Sequence, residues 1–159
     1  MTLDTDPLWL AVRQPHGADY DLSSLRSLSY AGSPFPVEML KRCIRKLGNI
    51  FAQGYGATET AGAPISFLVA EDQDIDDEAR LKSAGKPAIG SQVKICDEPF
   101  EQLPVGELGE ICVKGPHIMM DYWNQPDLTK AALRDGWSRT GDVGYVDADG
   151  YVYLTDRKS

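Results

Sequence analysis

Apolar side chains recur at helical spacing in the first third of this 159-residue chain. The stripe runs from Val37 to Leu47 at intervals of three and four residues, which predicts an amphipathic helix from about Pro36 to Leu47. A proline suits the first turn of a helix, where its missing amide hydrogen would have no partner, and Gly48 is a favourable C-terminal stop. The basic residues late in this segment are explained most simply as the solvated face of the helix.

Short apolar runs on either side of the helix predict two buried strands, at Leu25–Tyr30 and Asn49–Gln53. Strand, helix and strand form a βαβ unit, which implies a parallel sheet whose ligands lie at the carboxyl ends of the strands. A glycine-containing loop follows each strand, at Ala31–Pro34 and at Gly54–Thr58. We therefore expect a crevice for a small molecule between these two loops.

From Ser83 onward the pattern changes to alternation of apolar and polar residues, which is typical of half-buried strands. The segment Asp147–Gly150 carries a hairpin signal. This half is expected to form a small twisted sheet or distorted barrel that packs on the first half. Its predicted elements are strands at Gln92–Cys96, Glu110–Gly115, Val143–Val146 and Tyr151–Leu154 and a short helix at Asp127–Leu133.

An acidic segment lies between the two halves, with six acidic residues among positions 71–78. Its spacing invites comparison with a calcium-binding EF-hand loop, but Asp77 stands where that loop needs glycine and Ser83 where it needs glutamate. We interpret the segment as an exposed loop. The predicted organisation is a βαβ portion over 1–70, an acidic linker over 71–82 and a β-rich subdomain over 83–159.

Charge and composition narrow the functional classes. The net charge of −8, from 16 basic and 24 acidic residues, argues against a nucleic-acid or anionic-membrane surface, since both need a basic patch. Three scattered cysteines suggest neither a disulfide framework nor a metal motif, and they suit a reducing cytosol. We expect no signal peptide, no transmembrane segment and a cytoplasmic location.

The segment Gln53–Thr60 concentrates the candidate chemistry. Glycines on both sides of Tyr55 let a ligand approach the main chain, and the aromatic ring offers a face for stacking. Thr58 and Glu59 supply a hydroxyl and a carboxylate, the oxygen ligands that suit Mg²⁺ bound to phosphate. By itself the segment is equally compatible with a surface turn between a strand and a helix.

Seven stretches, taken in order, resemble the adenylate-forming superfamily, which includes acyl-CoA synthetases, firefly luciferase and the adenylation domains of peptide synthetases. The match extends from about Asp21 to the last residue, and its order and spacing are far more specific than any single stretch. Two features are most similar to fatty-acyl or aryl acyl-CoA ligases. They are Ala57, where peptide-synthetase domains usually have proline, and the sequence of residues 115–123. The stretches are Tyr30–Pro34, Gln53–Thr60, Gly85–Pro87, Leu103–Pro116, Tyr122–Pro126, Asp135–Asp142 and Asp156–Lys158.

The resemblance implies an α/β fold and an enzyme that uses ATP to activate a carboxylic acid, expected to be a fatty acid, as an acyl-adenylate. The acyl group then passes to coenzyme A. Tyr55 resembles the aromatic residue that stacks on adenine, with the backbone of Gly32 and Ser33 as the opposing wall. Thr58 resembles the hydroxyl that contacts phosphate, and Glu59 resembles the Mg²⁺ ligand that neutralises charge on the leaving pyrophosphate.

Further positions follow from the same resemblance. Asp142 resembles the carboxylate that accepts hydrogen bonds from both ribose hydroxyls, Arg157 resembles a second ribose contact, and Gly56 belongs to the nucleotide-binding set. Tyr122 and Trp123 are expected to be core aromatics, and His117 is expected to be structural. Candidate walls of the acyl pocket, with small residues that leave room for a long or bulky acyl chain, are Phe35, Ala61, Gly62 and Ala63.

The sequence also departs from the family pattern. A Ser/Thr/Gly-rich phosphate loop and a C-terminal domain with a lysine that assists adenylation do not occur in these 159 residues. We therefore expect an interior fragment of a longer enzyme, unable to complete adenylation by itself, with an open sheet edge that allows self-association. Two alternatives remain, an adenylating domain that loads a carrier protein and a non-catalytic remnant that binds nucleotide.

Overall fold

The computed structural model describes residues 22–33 and 35–157. Two sheets follow one another along the chain, and the first of them extends past the predicted change of pattern at Ser83, because its last strand is Lys86–Pro87. The first half contains strands β1 (Leu28–Ala31), β2 (Phe51–Tyr55), β3 (Ser66–Leu68) and β4 (Lys86–Pro87), with helices α1 (Val37–Leu47) and α2 (Glu78–Leu81) and short 3₁₀ turns at Thr58–Thr60 and Ala70–Asp72. The second half contains β5 (Gln92–Cys96), β6 (Gly109–Lys114), α3 (Pro126–Ala132), β7 (Leu133–Arg134), β8 (Trp137–Val146) and β9 (Val152–Arg157).

The first sheet has the order β1-β2-β3-β4. Strands β1 and β2 are parallel and are connected through α1, so the predicted βαβ unit is confirmed. The remaining pairs are antiparallel, which makes this a mixed sheet. The predicted α/β fold class, with a β-rich second part, is confirmed.

Helix α1 covers one face of this sheet. It buries Leu40, Cys43 and Ile44 against Phe51 of β2 and Leu81 of α2. The predicted apolar stripe is therefore the buried face, widened by one cysteine. The helix ends at glycine 48, whose amide donates to the carbonyl of residue 44, as the sequence predicts.

Strand β2 is displaced toward the C-terminus from its predicted position. It begins at Phe51 and includes Gly54 and Tyr55, which the sequence analysis placed in or next to a turn. Gly54 pairs with Ala31 of β1, and Tyr55 pairs with Ser66 of β3. Tyr55 is therefore the last residue of a paired strand, and this pairing restrains the position of its aromatic ring.

The second sheet is a curled antiparallel sheet with the order β5-β6-β8-β7, in which β9 pairs with β8. The predicted strands and the short helix are confirmed, although β9 continues to Arg157, three residues beyond its predicted end at Leu154. Strand β8 is longer than predicted, because it also includes the polar stretch Trp137–Asp142. A bulge between Val143 and Gly144 shifts its register with β9.

The acidic segment is attached to the first sheet through a buried side chain. The Gln73 amide nitrogen lies 3.1 Å from the carbonyl oxygens of both Phe51 and Leu68. Asp77 caps α2 by accepting the amide hydrogen of Arg80. The division of the chain at residues 71–82 stays a prediction, although this segment packs against the sheet that precedes it.

The two sheets share one hydrophobic core. Tyr55, Ile65 and Ala84 from the first half pack in the same buried cluster as residues of β5, β6 and β9. Backbone hydrogen bonds also cross between the halves, since Ala84 donates to the Val152 carbonyl at 2.7 Å and Val152 donates to the Gly85 carbonyl at 2.8 Å. Within residues 22–33 and 35–157, the helices are too short and too polar to cross a bilayer.

Gly85 stands at this crossing point, and alanine there should be strongly destabilising. Its φ is +80°, and a Cβ atom would lie 1.7 Å from the Phe67 carbonyl oxygen. Gly48 is a matched control, because its φ is +83° and a Cβ atom there meets no heavy atom within 4 Å. We expect Gly85→Ala to lower the free energy of unfolding by about 3 kcal/mol or more and Gly48→Ala by about 1 kcal/mol, measured by urea unfolding. Equal losses for the two variants would contradict this account of the close approach.

Candidate functional site

A cavity of about 850 Å³ opens at the carboxyl ends of β1 and β2, between the two sheets. It is the crevice that the two glycine loops predict. The described residues that line it include most of the predicted site residues, although Ser33 is not among them. Those predicted residues are Gly32, Tyr55, Gly56, Thr58, Glu59, Asp142 and Arg157.

A hydrogen bond between two predicted site residues joins the sheets at this cavity. The Tyr55 hydroxyl donates to Oδ2 of Asp142 at 2.7 Å, although the two residues lie 87 positions apart in the chain. Tyr55 is 9% exposed, and burial, with a further contribution from this hydrogen bond, raises the pKa of its hydroxyl well above the usual range. The phenol therefore stays protonated and acts as a donor. The carboxylate keeps unused acceptor capacity, since an ionised carboxylate has about four acceptor sites.

Arg157 approaches the same carboxylate from the neighbouring strand. It is the register partner of Asp142 in the β8–β9 pair, and its Nε lies 3.6 Å from Oδ1 of Asp142. Its side chain is 77% exposed, whereas that of Asp142 is 14% exposed. A long and solvated ion pair of this kind contributes little to stability, so Arg157 remains able to turn toward a ligand.

The backbone around Asp142 is fixed by polar residues that the sequence analysis did not identify. Glu110, a buried residue of β6, accepts the amide hydrogen of Gly141 at 3.1 Å through Oε1. Its Oε2 accepts from Nε and Nη2 of Arg139, at 2.8 and 2.5 Å. The hydrogen bond to Glu110 is the main cause of a raised pKa for the Arg139 guanidinium. A glutamate that is followed in the strand by three apolar residues was the available signal, because a buried carboxylate needs a partner.

Thr140 completes this support. Its hydroxyl donates to the Ile111 carbonyl at 2.8 Å and accepts the amide hydrogen of Asp142 at 3.1 Å. Both Thr140 and Glu110 are thus bonded to the short segment that presents Asp142 to the cavity. Residues of β6 therefore hold the backbone of this segment, while Tyr55 of the other sheet holds the side chain of Asp142.

Thr58 and Glu59 lie on the 3₁₀ turn that follows β2. The turn is fixed from inside by Thr60, whose buried hydroxyl lies 2.8 Å and 2.6 Å from the carbonyl oxygens of Ala57 and Ala63. Thr58 is exposed and Glu59 is half-buried, and both line the cavity. The turn therefore presents a hydroxyl and a carboxylate side by side.

Glu59 has a partner that the sequence analysis assigned to the core. The Tyr122 hydroxyl donates to Oε1 of Glu59, and this hydrogen bond, with a smaller effect of burial, raises the pKa of Tyr122 to about 12. The expectation for Trp123 is wrong, because its side chain is 85% exposed. His117 is packed beneath Gly115, and its Nε2 lies 3.3 Å from the Ser91 hydroxyl, in agreement with a structural role.

The predicted Mg²⁺ ligand fits one mode of metal binding. Among the residues that the structure describes, no group of three or more His, Cys, Asp or Glu side chains could hold a metal ion by itself. Mg²⁺, however, is usually held by one or two carboxylates together with waters and substrate phosphates. The carboxylate of Glu59, next to the exposed hydroxyl of Thr58, suits a metal ion that arrives with a phosphate ligand.

Three of the four residues predicted to form the acyl wall line the cavity, and their role in acyl binding stays a prediction. Ala61, Gly62 and Ala63 line the cavity, whereas Phe35 is not among its described lining residues and its ring packs 5.0 Å from that of Tyr30. Gly62 has a φ of +80°, so any side chain there would be strained even though the space around it is open. Ala63 is therefore the better position at which to change the volume of this wall.

Comparison with known proteins shows which family the chain resembles. Residues 5–123 match the sequence model of a family described as AMP-binding enzyme. A medium/long-chain fatty-acid–CoA ligase of Mycobacterium tuberculosis is 41% identical over 150 residues, which are 94% of this chain and 26% of that protein. A fatty acid–acyl-carrier-protein ligase of Streptomyces coeruleorubidus is 37% identical over 150 residues, 94% of this chain and 28% of that protein.

A solved structure gives a similar result. O-succinylbenzoate coenzyme A synthetase of Bacillus subtilis, in complex with ATP and magnesium ion, matches with a TM-score of 0.73 and 37% identity. The match covers 83% of this chain and 26% of that one. This chain spans about a quarter of the length of the curated relatives that it matches.

The pair of Arg139 with buried Glu110 should dominate the stability of the second sheet. Arg139→Met keeps the side-chain stem but leaves a carboxylate that is 4% exposed without its guanidinium. We expect a loss of about 3 kcal/mol in the free energy of unfolding, measured in urea. The matched control is Glu98→Gln, because Glu98 bonds to the same guanidinium but is 67% exposed, and we expect it to cost less than about 1 kcal/mol. A loss from Glu98→Gln as large as that from Arg139→Met would contradict this assignment.

Proposed function

The chain belongs to the AMP-binding enzyme family, and from this premise we propose that its cavity holds the AMP portion of ATP during activation of a carboxylic acid. The observation that supports this most directly is the hydrogen bond between Tyr55 and Asp142. It holds a carboxylate with unused acceptor sites at the cavity wall, beside an aromatic ring at the end of a rigid strand. These are the groups needed for a ribose that carries two donor hydroxyls and for a flat base.

The proposed roles follow from position. Asp142 accepts hydrogen bonds from the ribose hydroxyls, Arg157 adds a second contact to the ribose, and Tyr55 contacts the base. Only a small part of the Tyr55 ring is exposed, so the base lies against that part, with Gly32 and Gly56 providing the backbone around it. Ser33 is proposed for the same wall from the sequence resemblance alone, since it is not among the described lining residues. An anionic acceptor forms stronger hydrogen bonds than a neutral one, and for this reason Asp142 dominates the expected affinity.

The reaction proposed for the protein that contains this chain has two steps. The carboxylate of an acid attacks the α-phosphorus of ATP and pyrophosphate leaves. The sulfur of a thiol then attacks the acyl carbon of the resulting adenylate, which forms a thioester and releases AMP and the thiol proton. The hydroxyl of Thr58 donates to a phosphate oxygen, while the small residues 61–63 leave space for the acid. Glu59 would hold Mg²⁺, which supplies neutralising charge for the phosphates.

We propose a fatty acid as the substrate and coenzyme A as the acceptor. The names of related proteins support this, because the Mycobacterium tuberculosis relative is a medium/long-chain fatty-acid–CoA ligase. A carrier protein is the second candidate acceptor, favoured by the 37% identity to the acyl-carrier-protein ligase of Streptomyces coeruleorubidus. The cavity residues described here face the nucleotide and the acid, and both acceptors are compatible with them.

The nucleotide proposal is tested by calorimetric titration of the 159-residue chain with AMP. We expect Asp142→Asn to weaken AMP binding about tenfold, because hydrogen bonds to a charged group contribute ~1.5–3 kcal/mol and a tenfold change corresponds to about 1.4 kcal/mol. The same substitution should have much less effect on 2′,3′-dideoxy-AMP, which lacks both ribose hydroxyls.

Asp149→Asn is the control for the loss of one negative charge, since Asp149 lies exposed in the turn between β8 and β9, outside the cavity lining. It should leave AMP binding unchanged. The proposal fails if the unchanged chain does not bind AMP, or if Asp142→Asn weakens AMP and the dideoxy analogue equally.

The acid and the acceptor are tested by thioester formation with the protein that contains this chain. Parallel reactions would combine a long-chain fatty acid or an aromatic acid with ATP and Mg²⁺, and with either coenzyme A or a phosphopantetheinylated carrier protein. We expect the highest kcat/KM for the fatty acid with coenzyme A. A higher value with the carrier protein would overturn the proposed acceptor, and a higher value with the aromatic acid would overturn the proposed substrate.

A further inference from the structure

The segment that leads into α3 forms two hydrogen bonds with Glu59. The amide of Met119 donates to the Glu59 carbonyl oxygen at 2.8 Å, and the Tyr122 hydroxyl donates to Oε1 of its carboxylate. Both the backbone and the side chain of Glu59 are therefore held by a stretch of chain about 60 residues further on. A chance surface contact would not be expected to involve both the backbone and the side chain of the same residue.

Tyr122 is itself fixed to α3. Its amide donates to Oγ1 of Thr129 at 2.9 Å, and the Thr129 hydroxyl donates to the Gln125 carbonyl at 2.9 Å. The amide of Gln125 in turn donates to the Tyr122 carbonyl at 3.0 Å. This closed set of hydrogen bonds ties the backbone of Tyr122 to the first turn of a helix, so the phenol reaches Glu59 from a defined position.

The position of the phenol relative to the cavity defines what it can do. Glu59 is among the described residues that line the cavity, whereas Tyr122 is not. The phenol therefore belongs to a residue outside the cavity lining, and its hydrogen bond to Oε1 can restrain the torsions of the Glu59 side chain. A neutral donor also leaves the negative charge of the carboxylate in place, which an arginine at the same position would not.

We propose that Tyr122 is a positioning residue that holds the carboxylate of Glu59 in the direction needed to receive Mg²⁺ with ATP. The inference rests on the proposed function, since it assumes that Glu59 meets the metal bound to the phosphates. Hydrogen-bonded partners of metal ligands orient those ligands, and their loss typically weakens metal affinity by about 10- to 100-fold. AMP without metal does not use Glu59 in this way, so its binding does not depend on Tyr122.

The test variant is Tyr122→Phe, which removes the hydroxyl and keeps the ring. The chain would be titrated with AMP in EDTA, and then with ATP over a series of Mg²⁺ concentrations. We expect the Mg²⁺ concentration that gives half of the maximal enhancement of ATP binding to rise about tenfold, with AMP affinity changed less than twofold. The AMP titration also reports that the variant is folded.

Tyr153→Phe is the matched control. Tyr153 lies in the second sheet, stacked on Tyr145, and burial together with Asp147 raises the pKa of its hydroxyl to about 12. It is thus another tyrosine whose hydroxyl faces a carboxylate, but it is not among the residues that line the cavity. Its substitution should leave both the AMP affinity and the Mg²⁺ dependence unchanged.

Glu59→Gln provides the reference for loss of the metal ligand, and its Mg²⁺ requirement should rise at least as much as that of Tyr122→Phe. An unchanged requirement in Tyr122→Phe overturns the inference, as does an equal rise in Tyr153→Phe or the absence of any Mg²⁺ effect on ATP binding by the unchanged chain. Failure of the unchanged chain to bind AMP would instead contradict the proposed function itself, which makes the two failures distinguishable.

Discussion

The hydrogen bond from Tyr55 to Asp142 is the interaction on which the arrangement of this molecule depends. It links the last residue of a strand in the mixed sheet with the middle of the longest strand in the curled sheet. Because Tyr55 also belongs to the core cluster that both sheets share, the packing of the halves and the position of the cavity carboxylate are fixed by the same side chain. Stability and the geometry of the site therefore have a common origin.

Backbone contacts keep this shared core in register. The amide and carbonyl of Val152 are bonded to Gly85 and Ala84, so β9 is attached to the segment that leads into β4 of the first sheet. Arg157 lies at the far end of the same strand, opposite Asp142. Any shift of β9 along the core would move Arg157 relative to the carboxylate, and it would also break the two backbone hydrogen bonds of Val152.

The parts of this structure that sequence could predict are those with a local physical cause. The helix from Val37 to Leu47 follows from a stripe of apolar residues and a terminal glycine, and the strands of the second half follow from alternation. The cavity follows from two glycine loops at the ends of parallel strands. The end of β2 was misplaced because pairing with β1 and β3, rather than the local preference of glycine for turns, decides the conformation of Gly54.

Contacts between distant positions were not predictable in the same way. Arg139 meets Glu110 across 29 residues, and Tyr122 meets Glu59 across 63 residues. A polar residue in an apolar strand signals that a partner exists but does not identify it. Trp123 was expected to be buried because its side chain is hydrophobic. Instead, the turn before α3 directs Tyr122 toward Glu59 and leaves the neighbouring indole exposed.

The carboxylates of Glu110, Asp142 and Glu59 are held by two kinds of donor, and the difference corresponds to their roles. Glu110 is buried and paired with a guanidinium, which compensates its charge and leaves it to support the backbone at Gly141. Asp142 and Glu59 both receive a hydrogen bond from a tyrosine hydroxyl. A phenol is a neutral donor, so these hydrogen bonds restrain the direction of each carboxylate without compensating its charge. The guanidinium of Arg157, 3.6 Å from Oδ1 of Asp142, is solvated enough to turn toward a ligand. A ribose with two donor hydroxyls and a metal ion with positive charge are the ligands that such carboxylates attract, and the cavity places one carboxylate for each.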